Sequence, residues 1–319
     1  MHPFNLPLLN LLLNVGILLL AIGFLWKGAD FLVEAAGSIA KRFNVSELVI
    51  GLTIVAFGTS APEFAVTISA AIKGQSNISV GNIVGSNIFN LGFILGTVAM
   101  IAAIKASKKL VYRDGSFIFL VTLLLLFFFR DLHLARYEGA LMMGILVSYL
   151  LVLFIKKEPL DDEEVEEIEA HSSLTKDILI LLASLIAVAG GGHFLVESAS
   201  FIASAAGLSD WVIGVTIVAA GTSAPEMATS LTAVLKGRHG LSIGNLIGSD
   251  LFNILGVLGL AGVLNPMTID PSAYSSLLML VGMVALVIFF LRTGWRVSRL
   301  EGAILVAIGI LRWVMDFTG

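Results

Sequence analysis

The chain has 319 residues, of which 57% are hydrophobic and only 13% charged, and its mean hydropathy is +0.98. This composition excludes an ordinary water-soluble domain and predicts an integral membrane protein whose solvent is the lipid bilayer. The net charge of -4 points to no nucleic-acid or obligate protein partner, and the absence of cysteine excludes disulfides and thiolate metal centres.

The N-terminal MHPFNLPLLN carries no Lys or Arg ahead of its apolar run, which argues against a cleaved signal peptide. Apolar runs long enough to span a bilayer, roughly 20 residues each, are expected at 8–38, 45–72, 79–103, 115–130, 136–155, 177–205, 210–235, 241–264, 274–292 and 301–317. The first and sixth are long and must tilt or protrude. In the first, Lys27, Asp30 and Glu34 at i, i+3 and i+7 predict local ion pairing. The second is interrupted by GTSAPEF from Gly58, and the seventh by GTSAPEM from Gly221. Pro62 has no N–H and leaves the Gly58 carbonyl without its helical partner, and Pro225 does the same to Gly221. Such carbonyls must be buried in protein or face a polar cavity. Beside the breaks lie Thr59, Ser60 and Glu63, and Thr222, Ser223 and Glu226. A carboxylate at bilayer depth costs at least about 2.5 kcal/mol on insertion scales, so both glutamates read as functional.

The third and eighth spans add polar stripes at i, i+4 and i+8: Asn82, Ser86 and Asn90, then Asn245, Ser249 and Asn253. Asn82 and Asn245 read as interhelical hydrogen-bonding residues. His193 in the sixth span reads as a packed polar residue. Between the fifth and sixth spans, residues 157–176 hold eight acidic side chains and read as a solvated linker.

The two halves repeat at a constant offset. Gly58 and Gly221 are 163 positions apart, and the same offset pairs GADFLVEAA with GGHFLVESA, GNIVGSNIFN with GNLIGSDLFN, and YEGA with LEGA. Between Val49 and Asn90, 24 of 42 aligned positions are identical, which marks an internal duplication. Five spans per half, an odd number, force the second copy into the membrane upside down. The expected fold is therefore all-α, with ten transmembrane helices as two inverted five-helix repeats: residues 1–156, an acidic linker at 157–176, and 177–319, together one membrane domain. With the N-terminus outside, fourteen Lys and Arg fall on the inner side and three outside, which places both termini outside the cell membrane and the linker in the cytoplasm.

Two inverted copies bring two carboxylates, hydroxyls, amide oxygens and loosened carbonyls together, an all-oxygen site with a formal charge of about -2. Hard cations such as Ca²⁺ and Na⁺ select such ligands, and both would need the same glutamates, so they would compete. Exchange by alternating access follows, with no enzymatic step and no resident cofactor. The residues alone leave open proton coupling, a cation channel, the stoichiometry and the direction of transport.

The paired GTSAPE segments, each followed by GSNIFN or GSDLFN, resemble the two α-repeats of the sodium/calcium exchanger branch of the cation/calcium antiporter superfamily, in its prokaryotic form. The resemblance implies Ca²⁺ and Na⁺ as substrates. It further implies that the second, third, seventh and eighth helices hold the ions while the first and sixth slide across them. Carried over residue by residue, it makes Glu63 and Glu226 the acidic ligands with Thr59, Ser60, Thr222 and Ser223 beside them. Ser86 and Ser249 match its serine ligands, Asn90 and Asn253 its midplane pair, and Ala56 and Ala219 its carbonyl donors. Potassium-dependent members carry aspartate where this chain has Asn253, so no potassium requirement is implied. Asp250 stands where the first repeat has Asn87, and on a helical wheel it faces either the cavity or a neighbouring helix.

Overall fold

The first apolar run folds into α1 (Asn5–Phe43), which at about 1.5 Å per residue is far longer than the roughly 30 Å hydrocarbon core. A computed structural model describes residues 5–156, 173–207, 217, 219–271 and 273–318. α2 (Glu47–Thr59) and α3 (Ala61–Ile72) share the second run and meet at a bend of 52°. α4 (Ser76–Ile101), α5 (Leu110–Asp131) and α6 (Arg136–Lys156) complete the first half. The second half holds α7 (Leu174–Ala205), α8 (Ala219–Thr222), α9 (Ala224–Leu235), α10 (His239–Leu264), α11 (Ala273–Gly294) and α12 (Arg299–Thr318). Among the described residues seven helices are long and apolar enough to cross a membrane, eight if the bent pair α2 and α3 counts as one span. Of the linker expected at 157–176, residues 157–172 lie outside the described residues and 174–176 instead open α7; the start of the expected seventh span, 210–216, also lies outside the described residues.

The offset of 163 recurs in the backbone. The six described residues with positive φ fall into three pairs at that spacing: Asn44 and Gly207, Gly74 and Gly237, Leu132 and Trp295. Each ends a helix in the left-handed conformation that stops further helical hydrogen bonding. The helix starts also match. Glu138 Oε2 accepts the Ala135 N–H at 2.8 Å, and Glu301 Oε2 accepts the Ser298 N–H at 2.7 Å, each carboxylate reaching back to satisfy an otherwise orphaned donor.

Two short antiparallel strand pairs tie one half to the other. β1 (Ile104–Lys105) pairs with β4 (Arg296–Val297), and β2 (His133–Leu134) pairs with β3 (Met267–Thr268). The helices are exchanged in the same way, with α6 packing on α10 and α12 on α4. Backbones approach closely there: a Cβ on Gly96 would lie 2.7 Å from the Gly302 carbonyl oxygen.

α4 and α10 are innermost, with 72% and 78% of their most apolar windows buried, against 11% for α1. α1 packs chiefly along α7 and turns Leu12, Leu19, Leu20 and Phe24 outward, each more than half exposed. A lipid solvent would remove that surface from water.

At one end of the molecule α1 is held by charges from the second half. Lys236 Nζ lies 2.5 Å from Asp30 Oδ1 and 2.7 Å from Glu34 Oε1. Arg238 Nη1 donates to Glu47 Oε1 at 3.0 Å and to the Val33 carbonyl at 3.1 Å, and Arg42 Nε meets Asp177 Oδ2 at 3.3 Å. The expected local pairing is present, with Lys27, mostly exposed, 3.8 Å from Asp30, and Lys236 is a further and closer cation that the sequence did not reveal. His193 is corrected, because its side chain is 72% exposed beside Glu197 instead of packed.

Candidate cation site

Ser60 and Ser223 sit where the chain leaves one helix and enters the next, with φ, ψ of -78°, 9° and -90°, 9°. Pro62 and Pro225 then occupy the first turn of α3 and α9, where a missing N–H costs no helical bond. The backbone break therefore lies at the serine, and the glutamate three residues on points inward from the first turn of the new helix.

The side chains are exchanged between the halves. Ser60 Oγ donates to Glu226 Oε1 at 3.3 Å, and Ser223 Oγ donates to Glu63 Oε1 at 3.1 Å. Ser86 Oγ on α4 donates to the same Glu63 oxygen at 3.4 Å. Thr59 Oγ1 lies 3.1 Å from Asn245 Oδ1, 3.2 Å from Ser249 Oγ and 3.3 Å from the Ala56 carbonyl. Its single proton serves one of these at a time. The Ala56 carbonyl also accepts the Ser60 N–H at 3.1 Å. Thr222 is buried next to Ser223, and Ala219 begins α8.

Asn90 and Asn253 join α4 to α10 and do not bond the glutamates. Asn90 Nδ2 donates to Asp250 Oδ1 at 3.0 Å, and Asn253 Nδ2 donates to Asn87 Oδ1 at 3.0 Å. Asn87 Nδ2 in turn donates to the Asp250 carbonyl at 3.1 Å. Asn90 opens a widened π-helical turn, Asn90–Ile94, and Asn253 lies in its counterpart, Phe252–Leu258. Such turns interrupt the regular ladder and recur at functional sites. Asn82 and Asn245 hold helices together as expected, donating to Thr67 Oγ1 at 2.9 Å and Ser230 Oγ at 3.0 Å. Sequence reasoning did not assign Asn87 a part in this network; its alignment with Asp250 was the available signal.

The unbonded atoms characterise the site. Glu63 Oε2, Glu226 Oε2, Asn90 Oδ1, Asn253 Oδ1 and Asp250 Oδ2 are buried and have no hydrogen-bond donor among the described residues. All five are oxygens. A buried acceptor left without a donor costs about 1–3 kcal/mol, more if charged, and one bound cation would satisfy several such acceptors at once. Among the described residues no three carboxylates or imidazoles converge on one point, so a bound ion would take hydroxyl, amide or carbonyl oxygens as well. That mixture suits Na⁺ or Ca²⁺ and offers nothing to a soft metal.

Comparison with known proteins agrees with this chemistry. CaxA of Alkalimonas amylolytica is 40% identical over 302 residues, covering 92% of this chain and 93% of its own. The sodium/calcium exchanger MaX1 of Methanosarcina acetivorans is 33% identical over 347 residues, covering 95% and 98%. The solved structure of the sodium-calcium exchanger NCX_Mj superposes with a TM-score of 0.84 at 30% identity, over 94% of this chain and 98% of that one. The family described as sodium/calcium exchanger protein matches residues 13–155 and 176–312, nearly the whole chain, and to that family this protein belongs.

Proposed function

We propose that the protein is a secondary active antiporter that exchanges Ca²⁺ for Na⁺ across the cell membrane by alternating access. The observation that carries this reading is the pair of buried glutamates, each bonded through one oxygen to a serine of the other half and without a donor on its second. The relatives named as sodium/calcium exchangers support the choice of ions.

In this reading Glu63 and Glu226 bind the cargo, and Thr59, Ser60, Thr222, Ser223, Ser86, Ser249, Asn90 and Asn253 complete its oxygen shell with the carbonyls of Ala56 and Ala219. The empty pair of carboxylates resists closure because two like charges would be sealed in a low dielectric. One Ca²⁺, or two or more Na⁺, neutralises them, and α1 and α7 then slide across the filled site. Because both cations use the same glutamates, each leaves before the other binds, and exchange results. This reading involves no enzymatic step and calls for no resident cofactor. The chain forms one membrane domain of two inverted five-span halves, 1–156 and 177–319, joined by the 157–176 linker. The Lys and Arg distribution supports both termini outside and the linker in the cytoplasm.

The test is uptake of radioactive Ca²⁺ into proteoliposomes loaded in turn with Na⁺, K⁺ or a proton gradient. Uptake is expected with internal Na⁺ alone. Equal uptake driven by the pH gradient without sodium would overturn the reading, as would sustained single-channel current.

A further inference from the structure

Asp250 is the one residue of the central network that breaks its symmetry. At the matching position the first half has Asn87, whose Oδ1 accepts from Asn253, while Asp250 Oδ1 accepts from Asn90, both at 3.0 Å. An asparagine at 250 would accept the same bond, so the hydrogen bond does not account for the charge. The negative charge is surplus to the network. Asp250 is fully buried, its Oδ2 has no donor, and no Lys or Arg pairs with it among the described residues. Its backbone is pinned by the Asn87 amide at 3.1 Å, which fixes the carboxylate beside Asn90, whose own Oδ1 is donor-free. An unpaired carboxylate at this depth is strongly disfavoured unless a cation or a proton neutralises it.

We propose that Asp250 is a third acidic ligand for the transported cations, binding a monovalent cation with Asn90 Oδ1 on one side of the two-fold arrangement. The proposal rests on the exchanger reading above. With Glu63 and Glu226 it brings the formal charge of the ion pathway to -3. The added carboxylate gives Na⁺ a position that Ca²⁺ at the two glutamates does not use. The second half thereby contributes more to Na⁺ binding than the first, although their sequences match closely around the site.

The experiment measures thermal stabilisation of the full chain in detergent against NaCl and CaCl₂, together with Na⁺-driven Ca²⁺ flux in proteoliposomes. It compares wild type, Asp250→Asn, and the double exchange Asn87→Asp with Asp250→Asn. Asp250→Asn is expected to raise the half-saturating Na⁺ concentration about tenfold and lower the Hill coefficient by about one. Its half-saturating Ca²⁺ concentration should change less than about twofold. The double exchange moves the carboxylate to the mirrored position, where it accepts from Asn253, and should restore Na⁺ cooperativity. Wild-type Na⁺ dependence in Asp250→Asn would overturn the proposal. So would equal weakening of Na⁺ and Ca²⁺ stabilisation that the double exchange does not rescue, which is the signature of a packing role. A wild-type protein without Na⁺-driven flux would sink the exchanger reading, while the stabilisation curves would still decide whether Asp250 binds Na⁺.

Discussion

Glu63 and Glu226 each present one serine-bonded oxygen and one that lacks a donor among the described residues. Replacing either by glutamine keeps the volume and the bonded oxygen but removes the charge. Glu63→Gln and Glu226→Gln are each expected to cut Ca²⁺ exchange on the order of a hundredfold or more, since losing one member of a desolvated charge pair costs about 2–5 kcal/mol. Their melting curves in detergent should stay cooperative, and near-wild-type flux in either variant would remove the glutamates from the site. Asn253 carries the converse expectation. Its neutral amide should let exchange proceed without K⁺, and a K⁺ requirement in the same vesicles would show that assignment to be wrong. Both glutamates were legible in the sequence because a carboxylate next to a proline in an apolar run is costly at bilayer depth unless it binds something. The exchange of serines between halves was not, since a repeat shows that two copies match and not which atoms cross between them. Asp250 was ambiguous for a related reason. Every residue from Leu241 to Leu251 is buried, so that part of α10 has no lipid face against which a wheel angle could be read.

The ten expected runs matched the helices closely where residues are described, because hydropathy and bilayer thickness decide helix length together. Charge pairing between helices was less readable. Lys27, Asp30 and Glu34 share a helix face, yet the short contacts go to Lys236, more than 200 residues away. Burial pulls the Lys236 ammonium down, but the hydrogen bonds and charges of Asp30 and Glu34 outweigh it and raise it above its ordinary value of 10.5. The stabilisation is therefore fully present below that ordinary value and is lost only as pH rises through the raised one. Gly37 lets Arg238 cross α1, because a Cβ there would collide with its guanidinium. These pairs must break if α1 slides along its axis. Lys236→Gln is expected to favour the opposite arrangement by about 1 kcal/mol, roughly fivefold. Ser38, buried on the neighbouring turn of α1, reports it: Ser38→Cys in this cysteine-free chain should react with an aqueous thiol reagent about fivefold faster when combined with Lys236→Gln. An unchanged rate would show that the charges do not hold α1.

For the molecule as a whole, the proposed alternation predicts a two-sided accessibility pattern. If the halves are inverted as proposed, Ser86 and Ser249 are mirror positions, so single cysteines there should differ in the side from which reagents reach them in oriented vesicles, and saturating Ca²⁺ should protect both. Access to both from one side regardless of ions would indicate a continuous pore. Both serines stood out in the polar stripes, and the family resemblance supplied their proposed role; the strand pairs were not legible, because two-residue strands leave no alternating pattern to detect. Those strands have a consequence of their own. β1 is clasped by β4 and β2 by β3, while α6 lies on α10 and α12 on α4, so each half is finished only by elements of the other. The molecule is in effect a heterodimer that happens to be one polypeptide. Cutting the chain between 156 and 173 should then cost little beyond the entropy of the lost tether, and fragments 1–164 and 165–319 made in the same cell should purify as a pair and exchange Ca²⁺. Either fragment made alone would have no one to clasp, and is expected to be degraded.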